Sequence, residues 1–174
     1  MPRRPVPLRI DWAVRTVAGT GAREVLEVGC GRGVAVRLLC DLLPDVRVTA
    51  LDRSPAMTTA ARDLNGDLVA AGRLDLRPAS LADVDLGRSR FDAVVAVDVN
   101  AFWTGPARAE LDAVRRVLVP GGGLLLFHEP PPAQAPARVR EALHRHLALA
   151  GYDVEDLVPP GDGGALLGFR ARPV

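Results

Sequence analysis

The residues with the chemistry to hold a ligand are concentrated in one short stretch, Glu27-Val28-Gly29-Cys30-Gly31-Arg32-Gly33. An acidic residue is followed by three alternating glycines, with an apolar run before them (25–28) and a segment of helical period after them (34–43). Glycine has no Cβ and tolerates positive φ, so such a loop lets the backbone approach a bound molecule closely. The helix start that follows offers unpaired N–H groups and a partial positive charge, which can hold the anionic or polar part of a nucleotide-like molecule. Asp52 closes a second apolar run, 47–51. A carboxylate there either accepts hydrogen bonds from both hydroxyls of a ribose or caps the next helix together with Ser54. Polar residues also follow two later apolar runs: Asp98 and Asn100 after 91–97, and His128-Glu129 after 124–127.

These groups act together only if the chain brings the ends of its apolar runs to one rim. Short apolar runs alternate with longer segments of helical period, which implies a parallel sheet covered on both faces. Strands are expected over 24–28, 47–51, 74–78, 91–97 and 124–127. Helices are expected before the first strand, over 33–43, from Ser54-Pro55 to about residue 65, from Pro106 to 118, and over 139–150. Pro120-Gly121-Gly122-Gly123 reads as the turn into the fifth strand, and Pro130-Pro131-Pro132 as a stiff loop. Residues 152–158 and 165–171 read as a closing antiparallel hairpin around the turn-forming residues 159–164. Ligands in such sheets bind beyond the carboxyl ends of the strands, where the winding reverses. The loops at 27–33, 52, 79–81 and 98–103 meet there.

At 174 residues and 48% hydrophobic composition, the chain reads as one globular domain: an arm and helix over 1–22 and a ligand-binding unit over 23–174. A formal net charge of +1 argues against a protein built to coat nucleic acid. All the basic residues are arginine. Arg3, Arg4 and Arg9 make the N-terminal arm basic, and the reading taken is a solvated tail. Cys30 and Cys40 form no disulfide framework and read as reduced thiols. No leader and no membrane-spanning run is visible, so a cytoplasmic protein is expected.

The spacing of the loop differs from the dinucleotide fingerprint G-x-G-x-x-G, because Val34 stands where its last glycine would fall. E-x-G-x-G-x-G after a strand instead resembles the first motif of class I S-adenosylmethionine-dependent methyltransferases. Leu51-Asp52-Arg53-Ser54-Pro55-Ala56-Met57 is similar to their second motif. Ala79-Ser80-Leu81 stands where that family places its adenine contacts, Phe91-Asp92-Ala93-Val94-Val95 resembles the fourth-strand motif, and Arg116-Val117-Leu118-Val119-Pro120-Gly121-Gly122-Gly123 resembles R-x-L-x-P-G-G.

The resemblance implies a three-layer, doubly wound α/β fold with a seven-stranded sheet, mostly parallel with an antiparallel C-terminal hairpin strand. It implies S-adenosylmethionine as methyl donor and S-adenosylhomocysteine as product. Carried onto this sequence, Glu27, Gly29, Cys30, Gly31 and Gly33 border the methionyl and ribose portion, and Asp52 holds the ribose. Arg53 either covers the adenine or is solvated. Ser80 and Leu81 border the adenine, Met57 belongs to the same cofactor site, and Val97 or Asp98 receives the methionyl ammonium. On the acceptor side the resemblance points to Asn100, Trp103, Trp12 and His128. His128 and Glu129 are the weak candidates for a base, needed only where the acceptor must lose a proton.

The acceptor expected is a small molecule, and the protein a monomer or homodimer. No Pro-Pro follows Asn100, unlike the motif of many enzymes that methylate amino groups of nucleic acids and proteins. No metal is expected: Asp98-x-Asn100 lacks a second acid–asparagine pair, and His144 and His146 diverge on their helix. A non-catalytic binding module of the same fold is the competing reading. A nicotinamide-dependent oxidoreductase lacks its Tyr/Lys pair, since the chain has no lysine and only Tyr152.

Overall fold

A computed structural model describes residues 5–161 and 164–174. The elements run α1 (Leu8–Gly19), β1 (Glu24–Val28), α2 (Val34–Leu42), β2 (Arg47–Leu51), α3 (Pro55–Leu64), α4 (Gly66–Ala70), β3 (Leu74–Arg77), β4 (Phe91–Val97), α5 (Ala101–Thr104), α6 (Arg108–Val117), β5 (Leu118–His128), α7 (Pro136–Leu149), β6 (Tyr152–Asp156) and β7 (Leu167–Pro173). The strands form one seven-stranded sheet in the order β3-β2-β1-β4-β5-β7-β6. The winding reverses between β1 and β4, which pair in parallel from Val25↔Ala93 to Val28↔Ala96.

Strand alternation divides the core into two apolar layers. Val25, Val48, Ala93, Val95, Leu125 and Phe127 face α1–α4, where Trp12, Val17, Val36, Leu39 and Ala61 cover them. Leu26, Val94, Ala96, Leu124, Leu126 and Phe169 face the other way, under Leu111, Val114, Leu143 and Leu147. The period-2 alternation of a strand thus serves two helical layers at once. The seven-stranded, mostly parallel sheet expected from the sequence is the one found.

The closing antiparallel hairpin is found as expected, with β7 antiparallel to both of its neighbours and inserted between β5 and β6. Residues 162 and 163 of the expected turn lie outside the described residues, as do Arg3 and Arg4. Other expectations shift. The Pro120–Gly123 segment is not a separate turn. It lies within β5, where the register against β4 slips between Phe91 and Ala93, the irregularity expected of a glycine-containing bulge. A four-residue helix, α5, precedes α6 and was not read from the sequence. Arg9 belongs to α1 and is no solvated tail: its guanidinium pairs with both Asp98 and Glu129.

Trp12 is also corrected. It is 8% exposed, sets its edge against Phe127 at 5.0 Å between ring centroids, and covers Gly168. A Cβ on Gly168 would collide with the indole of Trp12. The packing of α1 on the sheet therefore requires glycine at 168. Gly168→Ala is expected to cost about 1–3 kcal/mol of stability through overpacking, read from urea unfolding midpoints. A stability equal to the parent's would show that the indole yields freely.

Candidate functional site

The loop after β1 hangs from the end of β2. The amides of Gly29 and Cys30 both donate to the Leu51 carbonyl at 2.8 and 2.9 Å. The Gly31 amide donates to Asp52 Oδ2 at 2.9 Å, and Asp52 Oδ1 accepts the Ser54 amide at 2.9 Å. Gly29, Gly31 and Gly33 all have positive φ, at 72, 52 and 75°. Ser54 caps α3 by accepting the Met57 amide, with Pro55 in the first turn, as expected from the Ser-Pro pair.

The three glycines have different neighbours. A Cβ on Gly29 would meet Val99 at 2.6 Å, and one on Gly33 would meet Asn65 at 2.6 Å and Ala61 at 3.0 Å. One on Gly31 would meet nothing within 4 Å. Gly33 therefore serves the seating of α2 against α3, where buried Asn65 donates to the Gly33 and Ala61 carbonyls. Gly31 faces open space.

A cleft of about 530 Å³ opens above this junction, within the range of small-molecule sites. Gly29, Asp52, Arg53, Ser80, Leu81 and Asp98 line it, and Asn100 with the first residues of α5 forms its far wall. Seven of the residues expected to bind thus meet at one cleft, while Glu27, Gly31 and Gly33 are not among its lining. Val99, Thr104 and Glu110 line the cleft too and were not read from the sequence, because their places depend on α5. Val97 does not line it: its side chain points into the α1–α4 layer. Cys30 is buried in that same layer, and burial pushes its thiol up to about 12, so it stays a neutral thiol. Met57 is half-buried at the start of α3. Trp103 and His128 sit behind the cleft wall, their rings 5.5 Å apart. A second cleft of about 540 Å³ lies at the opposite ends of the strands, around Arg23, Gly121–Gly123 and Arg172, away from all of these groups.

Charge decides which ligand such a loop suits. Its first three amides are already taken by β2, so it is not the ring of free N–H donors that phosphates require. Two carboxylates lie beneath it instead. Glu27 is 5% exposed, and burial, reinforced by Asp52, raises its carboxyl to about 8. Asp98, at the end of β4, has φ 56°, accepts the Glu129 amide at 2.8 Å and pairs with Arg9. A site with this balance favours a cation and neutral hydroxyls over a polyphosphate. Each Asp52 oxygen accepts one backbone amide and keeps a lone pair for a further donor.

A family model described as a methyltransferase domain matches residues 25–122. The chain belongs to this family, the class I S-adenosylmethionine-dependent methyltransferases. It is 32% identical over 121 residues to ubiquinone biosynthesis O-methyltransferase of Alkalilimnicola ehrlichii, covering 68% of this chain and 47% of that protein. It is 31% identical over 123 residues to trans-aconitate 2-methyltransferase of Streptomyces avermitilis, covering 70% and 45%. The chain spans about half the length of these relatives. Among solved structures, the DhpI–SAH complex shares the fold at a TM-score of 0.68 and 23% identity, covering 92% of this chain and 82% of that one.

Three other candidate polar side chains have partners of their own. The Tyr152 hydroxyl donates to the Leu111 carbonyl at 2.6 Å. His144 contacts Asp156 at 3.1 Å, while His146 contacts the Phe102 carbonyl at 3.3 Å. No helix among the described residues is long and apolar enough to cross a membrane.

Glu27 makes a pH prediction. Its folded-state pKa lies above the ordinary 4.5, so the folded protein holds this proton more tightly than the unfolded chain. The associated stability is complete below about 4.5 and is lost as pH rises through about 8. Glu27→Gln cannot ionise. It is expected to be more stable than the parent at pH 9, by roughly 2–4 kcal/mol, with little gain at pH 4.5. Equal gains at both pH values would show that Glu27 does not titrate in this window.

Proposed function

We propose that this chain binds S-adenosylmethionine in the cleft above β1 and β4 and transfers its methyl group to a small-molecule acceptor. The observation that carries the reading is the Gly31–Asp52 hydrogen bond at 2.9 Å. It holds an acidic strand end beside a loop position where no atom comes within 4 Å of a would-be Cβ. The residues present fit the donor. Asp52 has lone pairs for ribose hydroxyls, and Leu81 and Ser80 offer an apolar edge and a hydroxyl for a flat base. Asp98 supplies negative charge near the methionyl and sulfonium end. Asp98 and Glu129 together exceed the charge of Arg9 by one, and that surplus suits a cation.

The bound donor supplies an activated methyl group, so the chain's own task is placement. Alignment of nucleophile and methyl can lower a barrier by about 7–11 kcal/mol without a covalent step. The two relatives described above are named for methylation of small molecules, which supports a small acceptor for this chain.

Calorimetry with S-adenosylhomocysteine tests the reading. Asp52→Ala is expected to weaken binding by about 1–3 kcal/mol, the loss of hydrogen bonds to a charged acceptor. Gly31→Val is expected to abolish binding, because its side chain fills the open space and is strained at positive φ. Parental affinity in both variants would remove the ribose assignment. Absence of binding by the parent would favour a partner module that retains only the fold.

A further inference from the structure

The opposite rim of the sheet carries the opposite charge. The second cleft, of about 540 Å³, lies there between the end of α1, the start of β4, the glycine-rich part of β5 and the last residues of β7. Three arginines line it, Arg23, Arg170 and Arg172, against one carboxylate, Asp92. Asp92 is committed to the chain: its Oδ2 accepts the amides of Arg23 and Glu24 at 2.8 and 2.9 Å. Arg170 pairs with Glu155 of β6 at 3.2 Å. Glu24 turns to Arg47 at 3.6 Å. Asp153 stands opposite Arg172 in the β6–β7 register but forms no ion pair with it. Arg23 and Arg172 are exposed and have no carboxylate partner among the described residues. The carbonyl end of α1 disfavours an anion, but its last turn is used internally. The Thr20 and Gly21 amides donate to the Val17 and Ala18 carbonyls, and the Thr20 hydroxyl donates to Val17 as well.

The hollow has a sequence origin. Gly121, Gly122 and Gly123 leave β5 without side chains where a strand would otherwise fill the space. A Cβ on Gly123 would meet the Ala171 carbonyl at 3.6 Å and the Cγ atoms of Arg170 and Arg172 at 3.9 Å. These are ordinary contacts, so the missing side chain leaves room rather than relieving a clash. Arg170 and Arg172, two apart on β7, share the face that Gly123 leaves bare. Ala93 and Leu125, both buried, complete an apolar floor.

We propose that this cleft binds a small phosphate ester, with its phosphate held by Arg23 and Arg172 and its apolar body seated on Ala93 and Leu125 over the bare part of β5. Guanidinium forks pair bidentately with phosphate oxygens. Two guanidiniums offer about ten N–H donors, more than the roughly four lone-pair sites of a carboxylate can accept. The three terminal oxygens of a phosphate ester serve both forks, and it carries close to two negative charges at neutral pH. The cleft volume lies in the range of small-molecule sites. The proposal does not rest on the methyl-donor reading, which concerns the other ends of the strands.

Phenyl phosphate is the probe, titrated into the full chain at low salt and followed by calorimetry and by ¹⁵N–¹H amide shifts. Saturable binding is expected, with shifts at Arg23, Gly121–Gly123 and Arg172 and none at Gly29–Gly31. Benzoate is expected to bind at least about fivefold more weakly, having fewer oxygens and less charge. Replacing both exposed arginines, Arg23→Ala with Arg172→Ala, is expected to weaken phenyl phosphate binding by at least about tenfold with an unchanged urea unfolding midpoint. Arg138→Ala, an exposed arginine of α7, is expected to leave it unchanged. Gly123→Leu keeps every arginine but fills the hollow and is expected to abolish binding. Absence of binding by the parent, or parental affinity in the Arg23/Arg172 double variant, would overturn the proposal. So would equal weakening by Arg138→Ala, which would mark a general attraction to positive charge. Benzoate binding as tightly as phenyl phosphate would overturn the assignment to a phosphate ester.

Discussion

The suspension of the β1–α2 loop from the end of β2 is the constraint on which the rest of the site depends. Three successive amides point back at two residues, Leu51 and Asp52. To turn them that way the backbone takes positive φ at Gly29 and Gly31, which side chains with a Cβ resist. One consequence is electrostatic. With its amides committed, the loop presents shape rather than donors, and the carboxylates of Asp52 and Asp98 set the sign of the cleft. A loop of nearly the same composition with its amides free would suit a pyrophosphate; this one suits a cation flanked by hydroxyls. The one-residue difference in glycine spacing is the sequence record of that change.

The same constraint explains why Glu27 stays in an apolar strand. A carboxyl buried on β1 beside Asp52 is held neutral and costs stability as pH rises. A glutamine of equal size would avoid that cost. The carboxyl is worth keeping only if something positively charged arrives to stabilise its ionised form, and a sulfonium carrying an ammonium is such a visitor. On the proposed function, the polar residue that opposes folding is kept for binding.

Much of this was legible because it is local. β1, β2 and β4 fall where apolar runs of the right length say they should, and the Ser54-Pro55 cap starts α3 as its chemistry requires. Asp52 was legible as a carboxylate at a strand end, although its two backbone partners were not. Tertiary context decided the rest. Gly31 and Gly33 look alike in sequence, yet one faces open space and the other is pinned by Asn65 and Ala61, residues some thirty positions away. Trp12 lies on a helix whose polar side is ambiguous, and only the bare face of Gly168 across the sheet reveals why it turns inward. Arg9 looked like part of a basic tail because its partners, Asp98 and Glu129, lie about ninety and a hundred and twenty residues downstream. The extension of β5 through Pro120–Gly123 needed a partner strand with a register slip, which no propensity encodes.

The two faces of the sheet divide the work unequally. On the α1–α4 face, long apolar contacts and paired arginines hold the loop and Asp52 in fixed relation, as in-line alignment demands, where an ångström of misplacement is expensive. On the other face, the segment between β4 and α6 is short, begins at a strained Asp98 and ends at Ala107, also at positive φ. Strain of this kind persists only where surroundings impose it, and it gathers at functional places. Here the imposition comes from Arg9, which ties the end of β4 to the residue after β5 and so keeps Asp98 against His128. A rigid side and a lightly held side are what the proposed transfer would need: the first to fix where the methyl lies, the second to let an acceptor come and go.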